Sequence, residues 1–320
     1  MASDSGGETT RQPSEAMRMT VSSPALHRRQ IVHFWLINVG SVVLAVAAIA
    51  WGVAKGITFL DATLFVAMAF LTTVGIELGF HRGFAHGAYR AGPAMRAILA
   101  ALGIMAGQGS TAYWIANHRR HHARTDREGD PHSPAHGFWH AHLGWVLDRE
   151  TTITARFAPD MLTDPVVRFV DRLYFPVLIA GLALPAGIGF LLSGTWEGAL
   201  SAGLWGGGLR MFVVQQLTFS INSLCHARGA QAFRTQDQSR NVPFLALLTL
   251  GGSLHNNHHA FPKSATLHLL QGDLDPGGKL IELWEQLGLV ADVSRPSPDT
   301  ITRKKISPTA TLAGKSQIFQ

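Results

Sequence analysis

One cysteine in 320 residues, Cys225, is the first constraint. It leaves no internal disulfide, and it excludes an iron-sulfur cluster or an all-cysteine zinc site within this chain. Charge is scarce too. Asp, Glu, Lys and Arg make up 15% of the residues, against roughly 25% in an average soluble domain. With 47% hydrophobic residues and a positive mean hydropathy, the chain reads as a membrane protein. The first twenty residues have neither an apolar core nor a cleavage site, so residues 1–28 are expected as a disordered tail rather than a signal peptide. What the chain has in plenty is histidine, sixteen in all, the only abundant borderline metal ligand left to it.

Four windows reach the roughly 20 apolar residues that cross a bilayer: about 31–53, 57–80, 174–194 and 197–224. Short turns at Lys55–Gly56 and Ser193–Gly198 join them into two hairpins. Arg11, Arg18, Arg28 and Arg29 precede the first span, while the loop between the third and fourth carries no Lys or Arg. Positive residues favour the cytoplasmic side, so both termini, the 81–173 segment and everything after 225 are expected there. Two shorter apolar stretches, 94–108 and 242–254, are expected as interfacial or buried helices. Leu280, Ile281, Leu283, Trp284 and Leu287 recur at one-face helical spacing and are expected to cap the cytoplasmic domain. The domain itself spans 29–293, and residues 294–320 read as a second disordered tail.

The histidines fall in three dense clusters, "HRGFAH" at 81–86, "HRRHH" at 118–122 and "HNNHH" at 255–259, all on one side of that topology. His118, His121 and His122 stand at i, i+3 and i+4, as do His255, His258 and His259, so each set shares a helix face. His81 and His86 are five apart, about 140° around an ideal helix, so they either serve different metal ions or lie on a helix unwound near Gly83. Asn222 and His226, spaced i, i+4 in "NSLCH", emerge from the fourth span beside them. Any one cluster could be water-bound histidine or an anionic-lipid patch. Eight histidines concentrated on one membrane face call instead for metal, which holds closely spaced imidazoles in their neutral form.

The chain resembles the membrane-bound fatty acyl desaturases, in particular the acyl-CoA Δ9 branch of the stearoyl-CoA desaturase type, in bacterial form. The resemblance runs from about residue 30 to 290 and is carried, in order, by "HRGFAH", "NHRRHH", "GDPHSPAHGFWHAHLGW", "NSLCHARG" and "LHNNHHAFP". It implies an all-α integral membrane fold, four transmembrane helices in two hairpins, with a cytosolic helical cap holding a histidine-rich di-iron site. Two ferrous ions are then bound by His81, His86, His118, His121, His122, His226, His255, His258 and His259, with Asn222 reaching one through water. The implied reaction is O2-dependent insertion of a cis double bond, Δ9 being the expected position. The chain departs from the family's "GEG(F/W)H" pattern, since "GGSLH" puts Gly252 where a carboxylate is expected, and it carries Ala116 where animal acyl-CoA enzymes have a basic residue. The acyl carrier therefore stays open among acyl-CoA, acyl-carrier protein and phospholipid.

The implied chemistry also supports iron, because oxidising an unactivated methylene needs a redox-active metal, which zinc is not. Imidazole suits Fe, Cu, Ni and Zn alike, so affinity alone does not select iron. Imidazole ligands need outer partners to set their tautomers. Glu77, one turn before His81, and Asp126, Asp130 and Asp237 are the candidates. Arg210 lies twelve residues before Asn222, about 18 Å of helix, too deep to meet Glu77. Trp114, one turn before His118, is placed in the wall of an acyl tunnel, and Trp139 and Trp145 are candidates for interfacial anchors. No dinucleotide fingerprint, cysteine cluster or haem module is present, so a separate ferredoxin, rubredoxin or cytochrome b5-type donor with its reductase is expected to deliver electrons. The rival readings are a hydroxylase or acetylenase on the same scaffold and a membrane metal transporter. A transporter carries its ligands midway along its spans, whereas these lie at or beyond span ends.

Overall fold

Apolar runs with capped starts fold here as helices, and the computed structural model describes residues 19–306. The first long helix, α1 (Pro24–Lys55), opens on a proline, whose missing N–H costs nothing in a first turn. It begins earlier than residue 31, and Thr20–Ser22 before it pairs antiparallel with Glu150–Thr152. The expected tail thus ends sooner than residue 28, and its first eighteen residues lie outside the described ones. Helix α2 (Phe59–Ala85) starts on a capping box in which Thr58 and Asp61 bond each other's backbone N–H. With α6 (Tyr174–Ser193), introduced below, these are the three described helices long and apolar enough to cross a membrane.

Between the spans lie α3 (Pro93–Met105), α4 (Thr111–Arg124) and α5 (Pro165–Arg172). Helix α3 comes so close to α2 that a Cβ on Gly75 would stand 2.2 Å from the Gly103 nitrogen. Small residues allow such approach where lipid offers no hydrophobic drive. After α6, residues 196–227 form α7, helical throughout in three successive stretches (Trp196–Ala202, Gly203–Leu209, Arg210–Ala227). Its composition is less apolar than that of the other three because it turns polar groups inward. The Arg210 guanidinium donates to the carbonyls of Met105, Gly181 and Gly206, and Gln215 bonds the Gly107 carbonyl and Ser41. Arg210 thus meets carbonyls, and no carboxylate is among its partners.

Three further expectations change. Residues 242–254 are one short 3₁₀ turn at Pro243–Leu245 followed by turns, not a helix, since Pro243 opens the segment and Leu250 and Gly251 both take positive φ. Helix α2 runs on past residue 80, and its last eleven residues, Gly75–Ala85, widen into a π-helix. Beyond Ser294 the chain is not a loose tail: after α8 (His255–Ala260) and α9 (Pro276–Gln286), α10 (Pro298–Lys304) packs on the cap. Lys304 donates to the Ala260 carbonyl, and the Ile306 N–H to that of Ala232. Residues 307–320 lie outside the described ones. Helix α9 buries Ile281 in the main core, as its one-face pattern requires.

Candidate metal centre

Helix α4 carries the middle histidine cluster and is anchored by charge. Its first two N–H groups, of Thr111 and Ala112, donate to the Asp171 carboxylate of α5 at 2.9 and 3.0 Å, satisfying donors that no intrahelical acceptor can reach. The last cluster is held by the two asparagines inside "HNNHH". Asn241 Oδ1 accepts from the N–H groups of Asn256 and Asn257, while Asn256 Oδ1 accepts from those of Ala232 and Phe233 at 2.7 Å each. A helix of only six residues is marginal alone, and these bonds fix it.

The π-helix settles the placing of His81 and His86. In this wider coil hydrogen bonds close over five residues, and the His86 N–H does bond the His81 carbonyl. Five-residue spacing then puts both rings on one side, neither unwound at Gly83 nor split between sites. They share a group with His118, His122 and His258, whose ligand atoms all lie within 4.8 Å of one another. A second group holds His121, His226, His255 and His259. Each helical triplet divides the same way: the i, i+4 pairs His118/His122 and His255/His259 stay together, and His121 and His258 cross to the other group.

Within the groups the Nε2 atoms face one another. His86 meets His118 at 2.8 Å, His258 meets His122 at 2.9 Å and His81 at 3.0 Å, and His255 meets His226 at 3.0 Å and His259 at 3.1 Å. The far nitrogens face carboxylates: His81 Nδ1 donates to Glu77 at 2.9 Å, His121 to Asp130 at 3.0 Å, His226 to Asp126 at 3.2 Å and His259 to Asp237 at 3.1 Å. A carboxylate only accepts, so in the neutral form of each of these four rings the proton sits on Nδ1 and Nε2 keeps its lone pair. His121 and His259, both so oriented, point Nε2 at each other across 3.4 Å. Lone pairs facing at that range repel unless a cation stands between them. Imidazole nitrogens about 2.0–2.1 Å from a metal are roughly 3.0–3.4 Å apart at octahedral or tetrahedral angles, so the spacing suits an ion.

Burial, then the neighbouring imidazoles, pushes His118, His122, His255, His258 and His259 well below the ordinary value of 6.5. For His121 burial acts in the same direction, but Asp130 outweighs it and raises the ring. Asp130 is itself held well below the usual carboxylate range: burial opposes this, and His121 overcomes it. Below about pH 6.5 the unfolded chain binds protons that the folded chain refuses, on the five depressed histidines and on His86, which burial likewise pushes well below 6.5. Their stabilisation is complete above that pH and lost as pH falls. Metal-free protein is therefore expected to melt at lower temperature at about pH 5.5 than at about pH 7.5, and equal melting temperatures would contradict neutral, buried rings.

From this site a cavity of about 880 Å³ extends between α1, α4, α6 and α7. His118, Asn222 and the buried His132 are among its lining residues, as are the exposed Leu26, Arg28, Arg29, Val32 and Phe175. Trp114 lies in its wall, stacked on His118 with centroids 5.0 Å apart. Its Nε1 donates to Gln108, whose amide donates to Thr218 at 2.8 Å, so these polar groups satisfy one another. Trp145 also lines the cavity, whereas Trp139 is exposed. Sequence reasoning passed over Arg82, Asp275 and His132. The histidine of "GDPH" was visible in a quoted motif, and burial with His121 pushes it down to about 3. Nothing local marked Asp275, which is far from every cluster in sequence.

Together these features define a helical membrane protein with a histidine-rich site at the end of an apolar cavity. The sequence model described as fatty acid desaturase matches residues 57–271. Similar proteins include hex-5-enoyl-[acyl-carrier protein] acetylenase of Moorena producens (strain JHB), 39% identical over 300 residues, covering 90% of this chain and 94% of that one. Delta-9 acyl-lipid desaturase 2 of Arabidopsis thaliana is 35% identical, covering 75% and 77%. Acyl-CoA C20 Delta5-desaturase of Anemone leveillei is 33% identical, covering 76% of each chain. The chain belongs to the fatty acid desaturase family, and is an oxidoreductase of that membrane-bound class.

Proposed function

We propose that this chain inserts a cis double bond into a saturated fatty acyl chain, Δ9 being the expected position, at a pair of irons. One iron is assigned to His81, His86, His118, His122 and His258, the other to His121, His226, His255 and His259, with Asn222 joining through water. The observation that carries the reading is that nine imidazoles converge beside an apolar cavity and that His118 belongs to both. Two irons bound there would supply, with O2, two electrons and two protons, the oxidising power to remove two hydrogens from neighbouring methylenes, leaving an alkene and two waters.

The chain's own residues do the rest. Glu77, Asp126, Asp130 and Asp237 hold their histidines in the tautomer that presents Nε2, and hydrogen-bonded carboxylates make those rings more basic ligands. The cavity removes the alkyl chain from water, at about 0.8 kcal/mol per methylene, and Trp114 packs against a ligand at its inner end. Gln108 and Thr218 pair with each other, so the wall offers the chain few unpaired polar groups. Arg28 and Arg29 at the cavity lining suit an anionic carrier, whether acyl-CoA, acyl-carrier protein or phospholipid. With α7 as the fourth span, the two hairpins return the site to the cytoplasmic side, where a separate ferredoxin, rubredoxin or cytochrome b5-type donor reaches it.

A second reading, an acetylenase, is favoured by the 39% identity to a protein named for that activity over almost its whole length. Expression in a host lacking unsaturated fatty acid synthesis, with fatty acids profiled by mass spectrometry, separates them. A new cis-monounsaturated acid is the expected product. An alkyne formed only from a supplied alkenoyl chain would establish the second reading, and a hydroxy acid would reject both. Metal uptake by proteoliposomes with no O2 consumption would favour the transporter instead.

A further inference from the structure

A buried charged chain leads away from His81. Glu77 Oε1 accepts from His81 Nδ1 and also from Arg82 Nε and Nη2 at 3.3 and 3.4 Å. The Arg82 guanidinium then forks onto Asp275, Nη1 to Oδ2 at 3.1 Å and Nη2 to Oδ1 at 2.9 Å. Its remaining hydrogens go to the carbonyls of Leu250 and Ala265, 2.9 Å each, which bracket the last histidine helix in sequence. Every member is buried. Two carboxylates face one guanidinium, with His81 against Glu77 at one end and His268 3.6 Å from Asp275 at the other.

On the other side of Glu77 lies Gly252. A Cβ there would stand 2.7 Å from Glu77 Oε2 and 3.0 Å from its Cδ. Gly252, unlike Gly251, does not adopt positive φ, so its backbone makes no demand for glycine. The demand comes from the neighbour: Glu77 is clamped by Arg82 and cannot swing aside, and it fills the room a side chain at 252 would need.

We infer that Glu77 is the positioning residue for His81 and that position 252 is an alternative origin for the same carboxylate, the two being mutually exclusive. One carboxylate is required at this point, and one only, because a second would crowd and repel the first around a single arginine. An aspartate at 252 carries its carboxylate into the volume Glu77 now occupies, provided Glu77 is removed. The inference rests on the iron reading above.

The test compares purified wild-type protein with Glu77→Ala, Gly252→Asp, the double variant Glu77→Ala/Gly252→Asp, and Glu77→Ala/Gly252→Ala. Ferrous iron affinity and iron per chain are measured directly, with circular dichroism as the folding control. Loss of an outer partner lowers metal affinity about 10–100-fold, so Glu77→Ala is expected to fall by that much, and Gly252→Asp is expected to fall as well because its side chain collides with Glu77 and repels it. The double variant with aspartate recovers most of the loss, and the one with alanine does not. If Glu77→Ala fails to fold, Glu77→Gln, which preserves volume but not charge, is expected to fold with reduced iron affinity. Wild-type affinity in the neutral variants, equal rescue by alanine, or no rescue by aspartate would each overturn the proposal. Wild-type protein that takes up no iron would instead overturn the metal assignment beneath it.

Discussion

Replacing His258 with alanine is expected to abolish turnover while leaving part of the metal in place. His258 Nε2 stands 3.0 Å from that of His81 and 2.9 Å from that of His122, so it links ligands brought by α2, α4 and α8. Metal-borne stabilisation in catalysis amounts to several kcal/mol, and each 1.36 kcal/mol is tenfold in rate, so a loss of at least about 10³-fold is expected. The second group keeps all four of its histidines, so any iron lost comes from the first group and iron per chain should not fall below about half. Fatty-acid profiling and metal analysis of the same preparation check the two parts. Activity within tenfold of wild type, or loss of all metal, would contradict the division into two sites.

The second large effect is on stability. Exchanging Arg82 for methionine removes the guanidinium that forks onto Asp275 and also bonds Glu77, in a place where the Asp275 side chain has no solvent exposure at all. Breaking a buried pair by deleting one partner costs about 3–5 kcal/mol, because the other charge is left unpaired. The carbonyls of Leu250 and Ala265 lose donors as well. Against a typical total of roughly 5–15 kcal/mol, that is a large share, and a melting temperature lowered by many degrees is expected in detergent. Removing both charges, Arg82→Met with Asp275→Leu, should recover part of it, since an apolar pair of similar volume is tolerated. An unchanged single variant, or a double variant worse than either single, would show that the pair does not hold the cap together.

How much of this was legible beforehand depends on the range of the interaction. Spacing of i, i+3 and i+4 placed His118, His121 and His122 on one face of α4, and the same pattern did so for His255, His258 and His259. It did not reveal how those faces would be divided, because that depends on where a third element approaches. The five-residue spacing of His81 and His86 misled in a specific way. An α-helical period was assumed where the backbone adopts a π-helix, and a helical wheel drawn with the wrong period puts the rings apart. The helix expected over 242–254 failed because apolar composition said nothing of the positive φ at Leu250. The tail expected from Ser294 failed because α10 owes its order to contacts with Ala232 and Ala260, far earlier in the chain.

Composition and local periodicity were enough to determine a helical membrane protein, its long apolar helices and the imidazoles available as ligands. These are properties of single residues or of neighbours within one turn. The tertiary structure alone decided that Asp130, Asp126 and Asp237 each face a different histidine, that Arg82 joins Glu77 to Asp275, and that Gly252 is small because Glu77 reaches in beside it. Such pairings span from five to almost two hundred residues, and most of them exist only once packing has brought separate helices within hydrogen-bonding distance.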